Sequence, residues 1–305
     1  MKRKPTIFLY IFVFLFVLSF FKPTHYNYDN FINRTSIEST SNINSIPIAN
    51  NENELFSIIG NEISSLKSSL TVKTTFEIKS YDITFPDIYR CSRKIDQFSG
   101  SLLKSMNYSI SPCEKGCEIN FKFYYYIDES DFNKLCLFAE EFSENITHLS
   151  DYEKIKYTHD YLIENCTYIK DLDGPYNCIF QNKSNCNGYA LSFCLIMQKC
   201  NIECKYVTGL NHAWNAVKLN GLWYNIDVTW DDTDVENNIS YDYFLKGRSD
   251  WKKHDSTEAT AGYTYNPNND CINWVKTIFY YIRIPSIIFI CILAIIIFKK
   301  IRKGK

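Results

Sequence analysis

The stretch NHAWNAVKLNGLWYNIDVTWDD, residues 211–232, predicts a β-hairpin. Asn220 and Gly221 lie between two runs of strand-forming residues, and both tolerate the positive φ that a two-residue type I′ turn requires. A turn at this dipeptide fixes which residues of the two strands face each other. The resulting register pairs Leu219 with Leu222, Trp214 with Asp227 and His212 with Thr229.

Alternation of side chains along the two strands separates a core face from a polar face. The core face holds Ala213, Val217, Leu219, Leu222, Tyr224, Ile226, Val228 and Trp230, with Asn215 as its strongly polar member. The polar face holds His212, Trp214, Ala216, Lys218, Trp223, Asn225, Asp227 and Thr229. On this face His212 and Asp227 are diagonal neighbours about 7–8 Å apart, a gap that an imidazole and a carboxylate can close with a hydrogen bond. The hairpin therefore predicts a histidine base and an aspartate that orients it.

The segment SNCNGYALSFCLIMQKC, residues 184–200, predicts a buried helix that begins near Cys186. Ser184 and Asn185 are good N-cap residues, and the apolar residues that follow them recur at helical spacing. In the first turn of a helix, the unpaired N–H groups and the helix dipole favour an anion. This position therefore promotes the reactive thiolate form of Cys186.

Cys186, His212 and Asp227 supply a nucleophile, a base and an orienting group in that chain order. The motifs CNGYA, NIECKYVTG, NHAWN, LWYNIDVTWDD and YDYFL follow one another at compatible spacing, and SDYEKIKYTHDYLIENCTY (150–168) precedes them. Together they resemble the transglutaminase-like superfamily, in particular its bacterial cell-surface members, over about 150–265. The resemblance implies an α+β fold with a papain-like transglutaminase core. In that core a catalytic cysteine at a helix start packs against an antiparallel sheet that carries the histidine and the aspartate.

The resemblance also implies a role for each residue of this triad: Cys186 as nucleophile, His212 as general base and acid, and Asp227 as the orienting group. Taken singly, each residue has a structural explanation, as a buried or disulfide-bonded thiol, a core histidine, or a carboxylate that accepts backbone hydrogen bonds. Taken together, on a helix start and a hairpin, they favour catalysis. The sequence predicts no cofactor and no metal.

Other polar and aromatic residues near the triad are predicted to be structural. His159 lies on the apolar face of a helix and is assigned to the core, whereas His254 is assigned to the surface. The packing residues are predicted to be Trp214, Trp223 and Trp230, and the turn or cap residues Asp231 and Asp232.

The chain divides by composition into seven segments. Strands are predicted in TVKTTFEIKSYDITF and CEINFKFYYYID, and a helix in ESDFNKLCLFAEEFSENI. The segments are 1–23, an N-terminal signal or anchor; 24–60, a polar stalk; 61–149, a small α+β region; 150–265, the transglutaminase-like domain; 266–277, a linker; 278–298, a transmembrane helix; and 299–305, a basic cytoplasmic tail.

Both ends of the chain predict contact with a membrane. A basic start precedes an apolar run over 6–21, and an apolar stretch of spanning length over 278–298 precedes a basic cluster. The positive-inside rule then places both termini in the cytoplasm. The triad is accordingly predicted to lie outside the cell. The two terminal segments are predicted to anchor the protein to the cell membrane. A buried terminal helix is the alternative for 278–298.

Cysteine content and net charge narrow the functional classes. Of 12 cysteines, Cys186 is the candidate nucleophile and Cys291 falls in the predicted membrane helix, which leaves an even number. Outside the cell these could form disulfides, and in an anaerobic host they could all be free thiols. A zinc site is disfavoured because no paired CxxC spacing occurs. The net charge of −1 gives no indication of nucleic-acid binding.

Two functions from different classes remain open. The first is a membrane-anchored extracellular cysteine enzyme that cleaves or transfers acyl groups of peptide or protein amides through a cysteine thioester. Hydrolysis and cross-linking use the same triad, so the sequence does not separate peptidase from acyltransferase. The second is a catalytically silent peptide-binding or scaffold module on the cell surface.

Overall fold

The computed structural model describes residues 46–79, 82–233, 238–268 and 272–282. The first part of this chain builds a sheet with helices packed on it. Its elements are β1 (Ile48–Ala49), α1 (Glu52–Ser64), β2 (Ser69–Thr74), α2 (Phe85–Ile95), α3 (Gln97–Ser101), β3 (Leu103–Cys113) and β4 (Gly116–Tyr125).

The four strands lie in the order β1-β2-β4-β3, with β1 parallel to β2 and the remaining pairs antiparallel. Val72, Ile119 and Phe121 point into a core that α1 and α2 cover. These elements confirm an α+β region before the domain that carries the triad. The first predicted strand segment, which extends to residue 85, ends at Thr74 in the structure, and Thr84 near its predicted end caps α2.

The polar stalk predicted for 24–60 lies partly outside the described residues, and its described part, from residue 46, is folded. Leu55, Ile59 and Ile63 recur at helical spacing in α1 and are buried. Because these residues give the helix an apolar face to bury, this part of the chain is not a stalk.

The second part of the chain surrounds one central helix. Its elements are α4 (Glu129–Asn145), α5 (Asp151–Asn165), β5 (Thr167–Tyr168), α6 (Pro175–Phe180), β6 (Lys183–Ser184), α7 (Cys186–Lys199), β7 (Cys204–Gly209), β8 (His212–Leu219), β9 (Leu222–Ile226) and α8 (Val228–Asp231). The central helix is α7, which is buried from Gly188 to Met197. It packs against the antiparallel sheet β7-β8-β9 on one side and against α4 and α5 on the other.

The helix α4 shares its core with α7, although the sequence assigns it to the region before the domain. Leu135 and Ala139 of α4 are fully buried in the same cluster as Phe193 and Met197. The packing of the central helix therefore begins with α4, upstream of the boundary predicted at residue 150. The capping box predicted at Ser150 is present and starts α5.

The hairpin register is confirmed over 215–226. Asn215 pairs with Ile226 and Leu219 pairs with Leu222, and the turn residues Asn220 and Gly221 have φ values of 50° and 81°. These positive angles are the ones that a type I′ turn requires.

The strand β9 ends one residue before Asp227, so the predicted pairing of His212 with Thr229 does not form. Asp227 is instead the N-cap of α8, and its Oδ1 accepts the N–H of Trp230 at 3.1 Å. The predicted polar face is also largely buried, because the segment 238–268 covers it: Lys246 bridges to Asn225. The side-chain cap at Asp227 therefore ends β9, whereas the alternation of apolar and polar residues predicted that the strand would continue.

The membrane segments fall mainly outside the described residues. This applies to 1–23, to 299–305 and to all of 278–298 beyond residue 282. Within the described ranges, no helix combines the length and the apolar character needed to cross a bilayer. Residues 272–282 are helical and include the buried Thr277, so the predicted linker over 266–277 is partly a packed helix. The membrane topology stays a prediction.

The cysteines of the described ranges are all free thiols. They are Cys91, Cys113, Cys117, Cys136, Cys166, Cys178, Cys186, Cys194, Cys200 and Cys204. Cys113 and Cys117 lie on one hairpin but have opposite environments, since the first is exposed and the second is buried. Cys271 and Cys291 lie outside the described residues.

His159 is buried in α5, as the sequence predicts, and it lies between two carboxylates. Its Nδ1 is 2.9 Å from Asp160 Oδ1 and its Nε2 is 3.2 Å from Asp231 Oδ2. Burial disfavours the charged ring, but the hydrogen bonds to Asp160 and Asp231 outweigh it and raise the pKa of His159. The core of this domain therefore contains a charged pair that links α5 to α8.

We expect His159→Phe to lower the free energy of unfolding by about 3–5 kcal/mol, because it leaves the fully buried Asp231 without its partner. The folded pKa of His159 lies above its unfolded value of about 6.5. The stabilisation is therefore complete below that pH and is lost as the pH rises through the raised folded pKa. Denaturant unfolding at about pH 6 and at higher pH measures both effects. The exposed His148→Phe is the control, with an expected change below about 0.5 kcal/mol; equal losses in the two variants would contradict the prediction.

Candidate active site

Cys186 is the first residue of the central helix α7. The side chain of its N-cap, Asn185, accepts the N–H of Asn187 at 3.0 Å. This cap satisfies one of the four N–H groups that have no partner within the helix. Cys186 itself is 8 % exposed, so its thiol is shielded at the end of the helix dipole.

The glycine in CNGYA is required by packing. A Cβ at Gly188 would lie 1.9 Å from the Oγ of Ser184 and 2.7 Å from the carbonyl oxygen of Gly174. Ser184 Oγ donates to the Gly174 carbonyl at 3.1 Å, so these atoms form a fixed support beneath the first turn of α7. The small residue therefore lets the helix start approach the preceding loop and sets the position of Cys186.

His212 and Asp227 form the contact that the hairpin predicts. His212 Nε2 is 2.6 Å from Asp227 Oδ2. The thiol of Cys186 lies close enough to His212 to help raise the pKa of this imidazole. Because Nε2 binds the carboxylate, Nδ1 is the ring nitrogen left for the sulfur. The structure thus brings all three predicted residues together in the order thiol, imidazole, carboxylate.

The hydrogen-bond partners of His212 favour the charged form of its imidazole. Burial opposes protonation of His212, but hydrogen bonds to Asp227 and to Cys186 outweigh it and raise the pKa of His212 to about 9. Burial also opposes the charge on Asp227, but hydrogen bonds from His212 and His254 lower the pKa of this carboxyl. The carboxylate and the imidazolium therefore coexist at neutral pH, although Asp227 is fully buried.

Aromatic rings hold the imidazole of His212 in place. Trp230 stacks on it with a centroid distance of 4.9 Å, and Trp214 lies at 6.0 Å. Trp214 is buried, which agrees with its predicted packing role. Trp230 is 37 % exposed and does not belong to the core face on which alternation placed it, because the chain turns into α8 at Asp227.

His254 is buried beside the triad, although the sequence assigns it to the surface. Its side chain is 1 % exposed, and its Nε2 is 2.8 Å from Asp227 Oδ2, the oxygen that His212 also binds. No helical or strand periodicity surrounds His254 in the sequence, so only the tertiary fold brings it to the carboxylate. In the sequence, the nearby Trp251 is the feature that could have indicated burial of His254. In the structure its ring stacks on His254 with a centroid distance of 3.8 Å.

His212, Asp227 and His254 also form a group with ligand atoms close enough to hold a metal ion. One such atom from each residue lies within 4.8 Å of the others. Two imidazoles and a carboxylate suit a transition metal. In the structure these same atoms bind one another through hydrogen bonds of 2.6 Å and 2.8 Å.

A cleft of about 420 Å³ opens beside the residue that follows the nucleophile, Asn187. The phenol of Tyr206 lines the cleft and donates to Asn187 Oδ1 at 2.7 Å. Burial raises the pKa of Tyr206, and its contact Asn187 is the residue directly after Cys186 in α7. The lining also includes Asp128, Asp131 and Asp173. The cleft thus joins an acidic, tyrosine-lined surface to the reactive end of α7.

Comparisons with known proteins find similarity over the central part of the chain. Residues 138–228 match the model of the transglutaminase-like superfamily. Kyphoscoliosis peptidase of Mus musculus is 31% identical over 87 residues, which cover 23% of this chain and 13% of that protein. The Homo sapiens protein of the same name is 32% identical over 72 residues, which cover 18% of this chain and 11% of that protein.

The chain therefore spans only about an eighth of the length of these relatives or less. A crystal structure described as a "Putative Cysteine Protease" from Cytophaga hutchinsonii aligns at a TM-score of 0.28 and 13% identity, over 41% of this chain and 62% of that one. The family match contains Cys186, His212 and Asp227. Residues 138–228 are therefore similar to the domain that defines the transglutaminase-like superfamily.

Proposed function

We propose that this protein is a cysteine enzyme that acts on carboxamide groups of peptides or proteins through a thioester on Cys186. The observation that carries the proposal is the hydrogen bond of His212 to the buried carboxylate of Asp227, with the Cys186 thiol close enough to influence the pKa of the same imidazole. A nucleophile, a base and an orienting group in contact are the arrangement that acyl transfer through a covalent intermediate requires.

In the first half of the reaction, the thiolate sulfur of Cys186 attacks the carbonyl carbon of the amide. A carbon–sulfur bond forms, and the imidazolium of His212 gives its proton to the leaving nitrogen as the carbon–nitrogen bond breaks. The products of this step are a free amine and a thioester. Asp227 stabilises the imidazolium and holds the ring, and it does not take up the proton.

In the second half, neutral His212 accepts a proton from the group that attacks the thioester. Water gives a carboxylic acid and a primary amine gives a new amide, and in both cases the carbon–sulfur bond breaks. The backbone N–H of Cys186 is an N-terminal helix donor, and in this proposal it stabilises the oxyanion of each tetrahedral intermediate.

The cleft beside Asn187 supports a peptide or protein as the substrate. Its volume of about 420 Å³ lies in the range of ligand pockets, and it leads to the end of α7 that carries the thiol. The membrane-anchored, extracellular location predicted from the terminal segments remains part of the proposal. A catalytically silent peptide-binding module is the alternative, and it differs from an enzyme in having no turnover.

The test is to incubate the full-length chain with a peptide library, with and without a labelled primary alkylamine, and to identify products by mass spectrometry. We expect cleaved peptides or amine adducts with the wild type and neither with Cys186→Ala. Cys113→Ala removes an exposed thiol away from the triad and is the matched control, with turnover unchanged. Binding without turnover, or turnover that survives Cys186→Ala, would contradict the proposal. Intact cells given an impermeant peptide test the location: products that form only after lysis would exclude an external site.

A further inference from the structure

One oxygen of Asp227 serves two histidines. Oδ2 lies 2.6 Å from His212 Nε2 and 2.8 Å from His254 Nε2, while Oδ1 accepts the N–H of Trp230. A triad needs only one imidazole on its carboxylate. The second imidazole therefore adds an interaction that the proposed reaction does not require for proton transfer.

Both ring nitrogens of His254 face acceptor oxygens. Nδ1 is 3.1 Å from the carbonyl oxygen of Lys252, and Nε2 faces the Asp227 carboxylate. Both contacts are within hydrogen-bonding distance, so the ring of His254 bridges the backbone at Lys252 and the buried carboxylate of Asp227.

The surroundings of His254 hold its ring in a single orientation. Trp251 stacks on it at 3.8 Å with an interplanar angle of 21°, and Trp230 lies at 4.3 Å. The titratable rings and carboxyls that face it among the described residues are Asp227, His212 at 5.6 Å and Tyr243 at 5.6 Å. Asp227 is thus its only nearby carboxylate contact within the described part of the chain.

We infer that His254 is a positioning residue for the triad: it fixes Oδ2 of Asp227 and draws part of the carboxylate's negative charge away from His212. This inference rests on the proposed function. A carboxylate shared between two imidazoles stabilises each imidazolium less than a carboxylate with one partner. A substitution that weakens the hydrogen bond of His254 to Asp227 therefore leaves more of the carboxylate's charge for His212 and makes His212 harder to deprotonate.

The test uses His254→Gln, whose side-chain amide donates a weaker hydrogen bond to Asp227 than the imidazole does. The rate of alkylation of Cys186 by iodoacetamide is measured against pH, and the modified peptide is quantified by mass spectrometry because other free thiols also react. In the wild type, the step that reports loss of the His212 proton is expected near pH 9. In His254→Gln we expect this step to move up by about one pH unit, within the range by which a neighbouring charge shifts a pKa.

Three further variants separate the outcomes. His254→Phe keeps an aromatic ring in the stack but loses both hydrogen bonds, and we expect it to slow turnover through kcat with little change in KM. The exposed His148→Gln should leave the profile unchanged. Superposed profiles of wild type and His254→Gln, with a distinct profile for His212→Gln, would overturn this inference alone. A wild-type profile identical to that of His212→Gln would overturn the proposed function as well.

Discussion

His212→Gln is expected to lower peptide turnover by about 10⁶-fold, the loss that follows removal of the base from a comparable triad. Glutamine is similar in length and can still donate to Asp227 Oδ2, which His212 contacts at 2.6 Å in the wild type. Its amide neither gives nor accepts a proton near neutral pH. Both halves of the proposed reaction therefore lose their proton carrier, and the thiol of Cys186 loses the neighbouring imidazole. The measurement is kcat with the best substrate from the peptide library.

The fold of His212→Gln should be preserved, because neighbouring aromatic rings and the Asp227 hydrogen bond can accommodate the amide. Thermal unfolding checks this, and His148→Gln on the exposed surface is the matched control. A decrease in kcat of less than about tenfold would show that proton transfer does not pass through His212.

Asp227→Asn is expected to lower turnover by about 10⁴-fold, the effect of this change in a serine-protease triad. Asparagine is an equally good N-cap, so its carbonyl oxygen can still accept the N–H of Trp230 and start α8. The substitution therefore removes the negative charge while it retains the local backbone. The amide can also hold His212 in the wrong tautomer, with the ring proton placed away from the sulfur.

The same variant should change the pH dependence of the reaction. Burial opposes the charge on His212 and the hydrogen bond to Asp227 supports it, with a resulting pKa of about 9. A raised pKa means that the imidazolium is present at neutral pH and is lost as the pH rises through about 9. Without the carboxylate, this loss should occur at lower pH. The pH profile of kcat/KM measures the shift, with the exposed Asp242→Asn as control; a basic limb that stays near 9 in Asp227→Asn would contradict the assignment of Asp227.

The sequence predicted the features of the site that local chemistry determines. The Asn220-Gly221 turn fixes the register because the two residues must both adopt positive φ, and the observed pairs follow from it. The start of α7 was also accessible, since Asn185 precedes a long apolar run at helical spacing. In both places a few adjacent residues suffice to define the backbone.

The incorrect predictions concern features that depend on contacts between distant segments or on competing local hydrogen bonds. The alternation of side chains predicted that the strand continues through Asp227, but the chain turns into α8 there, because the Asp227 carboxylate accepts the N–H of Trp230. His254 was placed on the surface because its segment lacks periodicity, whereas packing against Trp251 and Asp227 buries it. Similarly, α4 joins the core of α7 only through tertiary contacts. The membrane segments at the two ends remain predictions, since they fall mainly outside the described residues.

The double use of Asp227 has a consequence for how such a domain diverges. Its Oδ2 belongs to the reaction, but its Oδ1 holds the first turn of α8. A descendant that abandoned catalysis would be free to replace Cys186 or His212, yet selection for folding would still retain an aspartate or asparagine at position 227. An aspartate or asparagine at this place in a distant homologue is therefore explained by folding alone, whereas the cysteine and the histidine are retained only where the proposed catalysis is.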